Sequence, residues 1–164
     1  MVERIVESLE ISEKILLEFF VTFSRFEYAL KESGFVRADK KGDAQPDWDK
    51  FISLVSREEY TALMSILNRE LYITDSPPKK QIVRNGKLQW SDLPKSGIKN
   101  VGSLLNAVRR VRNNLFHGGK FSTDYNCESR NQRLVTDALT ILKEVINLPS
   151  VNSIRAVFNL GQYA

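Results

Sequence analysis

At 164 residues, 42% hydrophobic and 27% charged, the chain is long enough to bury one real core and too short for two, so residues 1–164 read as a single domain. No apolar run approaches a membrane span and Glu3, Arg4 and Glu7 do not suit a secretory signal, so a soluble, cytoplasmic protein without a membrane partner is expected. One cysteine (Cys127) and one histidine (His117) exclude a disulfide framework and a conventional metal cluster; with no phosphate-loop or dinucleotide-binding glycine motif, neither cofactor nor metal is expected.

Residues from about 12 to 33 place Ile15, Leu16, Phe19, Phe20, Phe23, Phe26 and Leu30 on one broad stripe, which predicts the main core helix. Glu27 falls on the edge of that stripe, where an unpaired carboxylate is costly to bury. Gly34 ends the helix, residues 36–45 read as a polar loop, and Pro46-Asp47 opens a short helix through about Val55. Ser56 and Glu59 then form a capping box, starting a helix to about Tyr72 that turns Tyr60, Leu63, Met64, Leu67 and Leu71 toward the core.

Asp75-Ser76-Pro77-Pro78 stops that helix. Asn85-Gly86 suits a two-residue hairpin turn, in a register that sets Val83 opposite Leu88 and Gln81 opposite Trp90. Lys79, Lys80, Arg84 and Lys87 flank this hairpin, which reads either as a basic finger reaching for RNA or as an exposed turn solvated by its lysines. A third main helix near 98–117 buries Val101, Leu104, Leu105, Val108, Val111 and Leu115, and a fourth near 129–147 packs Leu134, Val135, Ala138, Leu139, Leu142, Val145 and Ile146. Pro149-Ser150 leads to a short C-terminal helix with Ile154, Val157, Phe158 and Leu160. The expected fold is all-α: a helical bundle of four main helices plus a short C-terminal helix, with a small β-hairpin inserted around 81–90.

The net charge of +4 hides an uneven distribution. Residues 79 to 120 carry ten Lys or Arg against one acid, Asp92, whereas residues 1 to 78 carry ten bases against fifteen acids. A basic middle on an acidic chain is what a polyanion-binding face needs, since nucleic-acid affinity comes largely from phosphate neutralisation; a solvated basic helix face is the plainer alternative. Within this stretch Arg112-Asn113-x-x-x-His117 closes the third helix ahead of Gly118-Gly119.

That string resembles the Arg-x4-6-His signature of the HEPN superfamily, all-α domains of which many are metal-independent ribonucleases. The segments Phe23 to Leu30, Pro77 to Lys80 and Arg109 to Gly119 are also similar to one small standalone prokaryotic branch of that superfamily. The resemblance implies an endoribonuclease with its site at a homodimer interface, a role as a toxin or anti-phage defence effector, and an antitoxin or regulatory protein as a further partner. Related toxins silenced by a nucleotidyltransferase antitoxin carry a tyrosine two residues after the histidine. Gly119 stands there, so adenylylation at that site is not implied.

The chemistry of the residues points the same way. Metal-free RNA cleavage needs a base for the 2′-hydroxyl, an acid for the leaving 5′-oxygen and positive charge on the phosphorane. Histidine, with an unperturbed pKa of about 6.5, suits both proton roles, and arginine is a fixed fork for phosphate oxygens. One histidine per chain cannot be acid and base at once, so a two-fold dimer would bring two His117 and two Arg112 into one cleft. The candidate catalytic residues are Arg112, His117 and Asn113, the last orienting His117 or contacting phosphate. Arg109, Arg110 and Lys120, with Lys79, Lys80, Arg84 and Lys87 of the hairpin, are candidate RNA-binding residues; Glu27 and Asn114 are supporting ones.

Helical spacing puts Arg112 in the apolar stripe, and about 140° from His117, so a shared site requires the last turn to unwind or the arginine to reach around. Two displaced charges of opposite sign predict a Glu27–Arg112 contact. Two alternatives stay open: a non-catalytic HEPN module that binds nucleotides, RNA or a partner chain, and a helical RNA-binding module that does not dimerise.

Overall fold

Glu13–Glu32 (α1) is helical because it holds neither glycine nor proline and repeats large apolar side chains every three to four residues. Its end is set by Gly34 at φ +82°, with the Phe35 and Gly34 amides folded back onto the carbonyls of Leu30 and Lys31. The computed structural model describes residues 11–67, 71–91, 97–116 and 128–160, and over these the protein is predominantly helical.

The stretch after Gly34 is not the loop expected from its polarity. Val36–Ala38 (β1) and Ala44–Pro46 (β2) pair antiparallel, Val36 opposite Pro46. Their turn is closed by the Asp39 carboxylate, which accepts from the Lys41 and Asp43 amides. Asp47 then caps Trp48–Ile52 (α2) by accepting from the Lys50 amide, and this helix stops short of the expected Val55.

In the capping box, Ser56 N donates to Glu59 Oε2 at 3.0 Å and Glu59 N to Ser56 Oγ at 3.1 Å. It opens Arg57–Leu67 (α3). The helix expected to continue to Tyr72 is instead followed by a separate short one, Tyr72–Asp75 (α4), because Leu71 takes an extended backbone in front of it. Lys80–Arg84 (β3) and Lys87–Ser91 (β4) form the second hairpin, with Val83 opposite Leu88 and Gln81 opposite Trp90. Its turn holds Asn85 at φ +53° and Gly86 at φ +69°, the positive values this turn requires.

Val101–Phe116 (α5), Glu128–Val145 (α6), a 3₁₀ turn over Pro149–Val151 and Asn152–Asn159 (α7) complete the order. The core is centred on α6, which packs against α1, α3, α4 and α5. Helix α1 shares that core, packing against α6, α7 and both strands of the first hairpin. Its inner face is rich in phenylalanine, but Leu17, Phe20 and Val21 are exposed, whereas α6 buries Leu134, Val135, Ala138, Leu139, Ile141 and Leu142 on a wider arc. No helix among the described residues is long and apolar enough to cross a membrane.

Candidate functional site

Helix α5 turns two sides to its surroundings. Val101, Leu104, Leu105, Val108 and Val111 are buried, while Asn106, Arg110 and Asn113 recur at helical spacing on another face, with Arg109 beside them. Together with Lys80, Gln81 and Asn114, these polar residues line a cleft of about 480 Å³ between α5 and the start of β3. Three of the seven lining side chains are cations, four are carboxamides and none is an acid, so the cleft suits an anion with hydrogen-bonding edges.

The cleft depends on where the second hairpin is anchored. Asn114 is buried at 6% exposure, and its Nδ2 donates to the backbone oxygen of Lys79 at 3.0 Å. A buried carboxamide left without its partner costs about 1–3 kcal/mol, so this bond holds the base of β3 against α5. The hairpin tip lies further out: Arg84 and Lys87 flank the turn and are not among the cleft residues.

Arg109 is the most built-in of the cations. Its guanidinium lies 5.4 Å from the Trp48 ring and donates to Asn106 Oδ1 at 3.0 Å. Burial pushes its pKa down, the Asp49 and Glu27 carboxylates pull it back up, and Arg37 opposes them. Trp48 is itself stacked on Phe26, with ring planes 1° apart, and its Nε1 donates to Glu27 Oε1 at 3.2 Å.

The expected Glu27–Arg112 contact is therefore not formed. Glu27 serves Trp48 and the field around Arg109, one helical turn earlier on α5. Arg112 is accommodated by rings instead, its guanidinium 4.7 Å from the centre of Phe116 and 5.6 Å from that of Phe23. Such contacts are worth about 0.5–2 kcal/mol each and leave the charge itself unneutralised. Its Nη1 donates to Asn113 Oδ1 at 3.1 Å, and Asn113 lines the cleft, so this asparagine joins Arg112 to the basic face. Phe116 also meets Phe20 at 5.4 Å, next to exposed Leu17 and Val21, which places an apolar surface directly beside Arg112.

Of the residues singled out in the sequence, Lys80, Arg109, Arg110, Asn113 and Asn114 thus share one cleft, Arg112 borders it, and Lys79 supplies the anchoring carbonyl. His117 and Lys120 lie outside the described residues. Asn106 and Gln81 line the cleft without having been anticipated; the 106, 110, 113 spacing on one helix face was the available signal. No group of three His, Cys, Asp or Glu side chains among the described residues could hold a metal ion. Set against known proteins, the chain matches no family model and gives no significant match to a curated protein or a solved structure.

Proposed function

We propose that this protein is a metal-independent endoribonuclease of HEPN type, a four-helix-bundle domain that acts as a homodimer and cleaves RNA by attack of the substrate's own 2′-hydroxyl. The observation that carries the reading is the acid-free cleft of Lys80, Arg109 and Arg110, joined through Asn113 to an Arg112 that touches no carboxylate among the described residues. His117 follows Asn113 by four residues in the sequence. In this mechanism one His117 takes the 2′-hydroxyl proton, the phosphorane oxygens gather charge against Arg112, and the partner's His117 protonates the leaving 5′-oxygen. The exposed apolar surface of Leu17, Phe20, Val21 and Phe116 beside Arg112 supports a second copy docking where the two sites would merge.

Cleavage should survive EDTA and leave a 2′,3′-cyclic phosphate. Mixed dimers of wild-type and His117→Ala chains should lose about 10²–10⁴-fold in rate, far more than the halving given by two independent sites. Retention of half the rate per mixed dimer would end the composite mechanism. A second reading, a non-catalytic RNA-binding module, is favoured by the part-buried setting of Arg112 between two rings, which suits a packing role. It predicts RNA binding without cleavage and no effect of His117→Ala.

A further inference from the structure

The β3–β4 hairpin carries more than charge. Residues directly opposite in an antiparallel pair project to the same side, so Gln81, Trp90, Val83 and Leu88 share one face. Val83 is 75% exposed, Leu88 67% and Trp90 38%, an apolar strip on a ribbon that pairs with no third strand among the described residues. The other tryptophan, Trp48, is 3% exposed beneath Phe26 and Arg109, as large aromatic side chains usually are. Gln81, the cross-strand neighbour of Trp90, lines the basic cleft. The strip is therefore continuous with a surface already suited to phosphate, and residues 79–91 contain four cations and no acid.

We infer that this face is a stacking platform that selects unpaired RNA, with Trp90 seating a base of the strand whose phosphates occupy the cleft. The inference rests on the RNA reading and names its substrate class. The division of labour follows from the two kinds of side chain. Lys80, Arg84 and Lys87 attract any polyanion, paired or not. A ring can stack only on a base that has left its helix, because an A-form duplex keeps its bases inside and presents phosphates and 2′-hydroxyls. Trp90 thus adds affinity for single strands alone, and Val83 and Leu88 extend the surface on which a neighbouring base lies.

The test titrates the full-length protein with 2′-O-methyl oligoribonucleotides of about 12 residues, single-stranded or as a duplex, which cannot be cleaved through the capped 2′-oxygen. Single strands should quench the emission of Trp90, while covered Trp48 gives a constant background. Trp90→Ala should weaken single-strand binding by about 5- to 150-fold and change duplex binding by less than about twofold. Trp90→Phe should keep most of the affinity while losing the quench, which separates stacking from misfolding. Binding of both forms with no effect of Trp90→Ala leaves the RNA reading standing and overturns the platform. Binding of neither form overturns both. A change in self-association by Trp90→Ala, with RNA binding intact, assigns the face to a protein contact and also overturns it.

Discussion

Arg109 and Arg112 lie three residues apart on α5, both beside aromatic rings, yet one has carboxylates near it and the other neutral groups. Arg109 has Trp48 beneath it and the carboxylates of Glu27 and Asp49 in its field. Arg112 has Phe23 and Phe116 and, among the described residues, an asparagine as its hydrogen-bond partner. The first environment sets carboxylates around a guanidinium that packs on the core and also lines the cleft. The second holds a guanidinium in place without neutralising it, which is what a group that must meet a phosphate requires. The contrast also explains why two arginines on one helix turn should not be interchangeable.

The largest expected effect separates them directly. Arg112→Ala should lower RNA cleavage by about 10²–10³-fold, the usual cost of removing a donor aimed at developing charge, and lower stability to urea only by what its ring contacts supply, about 0.5–2 kcal/mol. Arg109→Ala should act mainly on the fold, lowering unfolding free energy by about 1–3 kcal/mol by uncovering Trp48, and should weaken RNA binding at the cleft it lines with a smaller loss of cleavage. If Arg109→Ala costs more activity than Arg112→Ala at equal folded fraction, the assignment of roles is inverted.

A smaller effect sharpens the same contrast. In double-mutant cycles Glu27→Gln should couple to Arg109→Ala by about 0.5–1 kcal/mol and to Arg112→Ala not measurably; a larger coupling with Arg112 would restore the pairing that the sequence suggested. The smallest effect lies outside both environments. Burial by itself would raise the Glu59 carboxyl, but the amides of Ser56 and Ser150 together hold its pKa below the usual carboxylate value. Its contribution to stability is thus present above the ordinary carboxylate pKa and is lost as pH falls through the lowered one. Thermal unfolding followed from pH 6 downward should show a shallower acid loss in Glu59→Gln than in wild type, from a lower starting point.

Elements whose cause is local were readable in the sequence. The phenylalanine period of α1, the stop at Gly34, the Ser56–Glu59 box and the Asn85-Gly86 turn each depend on a few neighbouring residues. Residues 36–45 look like a loop in the sequence because the strands there are short and polar and the turn is made by one aspartate side chain, which periodicity does not register. The break before α4 was hidden for a similar reason, since Leu71 looks like one more helical apolar residue until its backbone is seen. Within the candidate site, the basic character of α5 and its hairpin was visible in the charge pattern, whereas the partner of Arg112 was not. Helical spacing says that a charge is displaced; only tertiary packing says whether a carboxylate or a ring receives it.

The Asn114 side chain that grips the Lys79 carbonyl also sets a hierarchy of amide exchange. A ribbon tied to the core at its base, with most of its residues exposed, opens without disturbing the helices around α6. Its amides should exchange deuterium through local fluctuations while those of α6 wait for global unfolding, and ligand-induced protection should gather in β3 and β4. Ordering of the hairpin is then drawn against the binding energy of whatever it holds, and the stability of the helical core stays out of that balance.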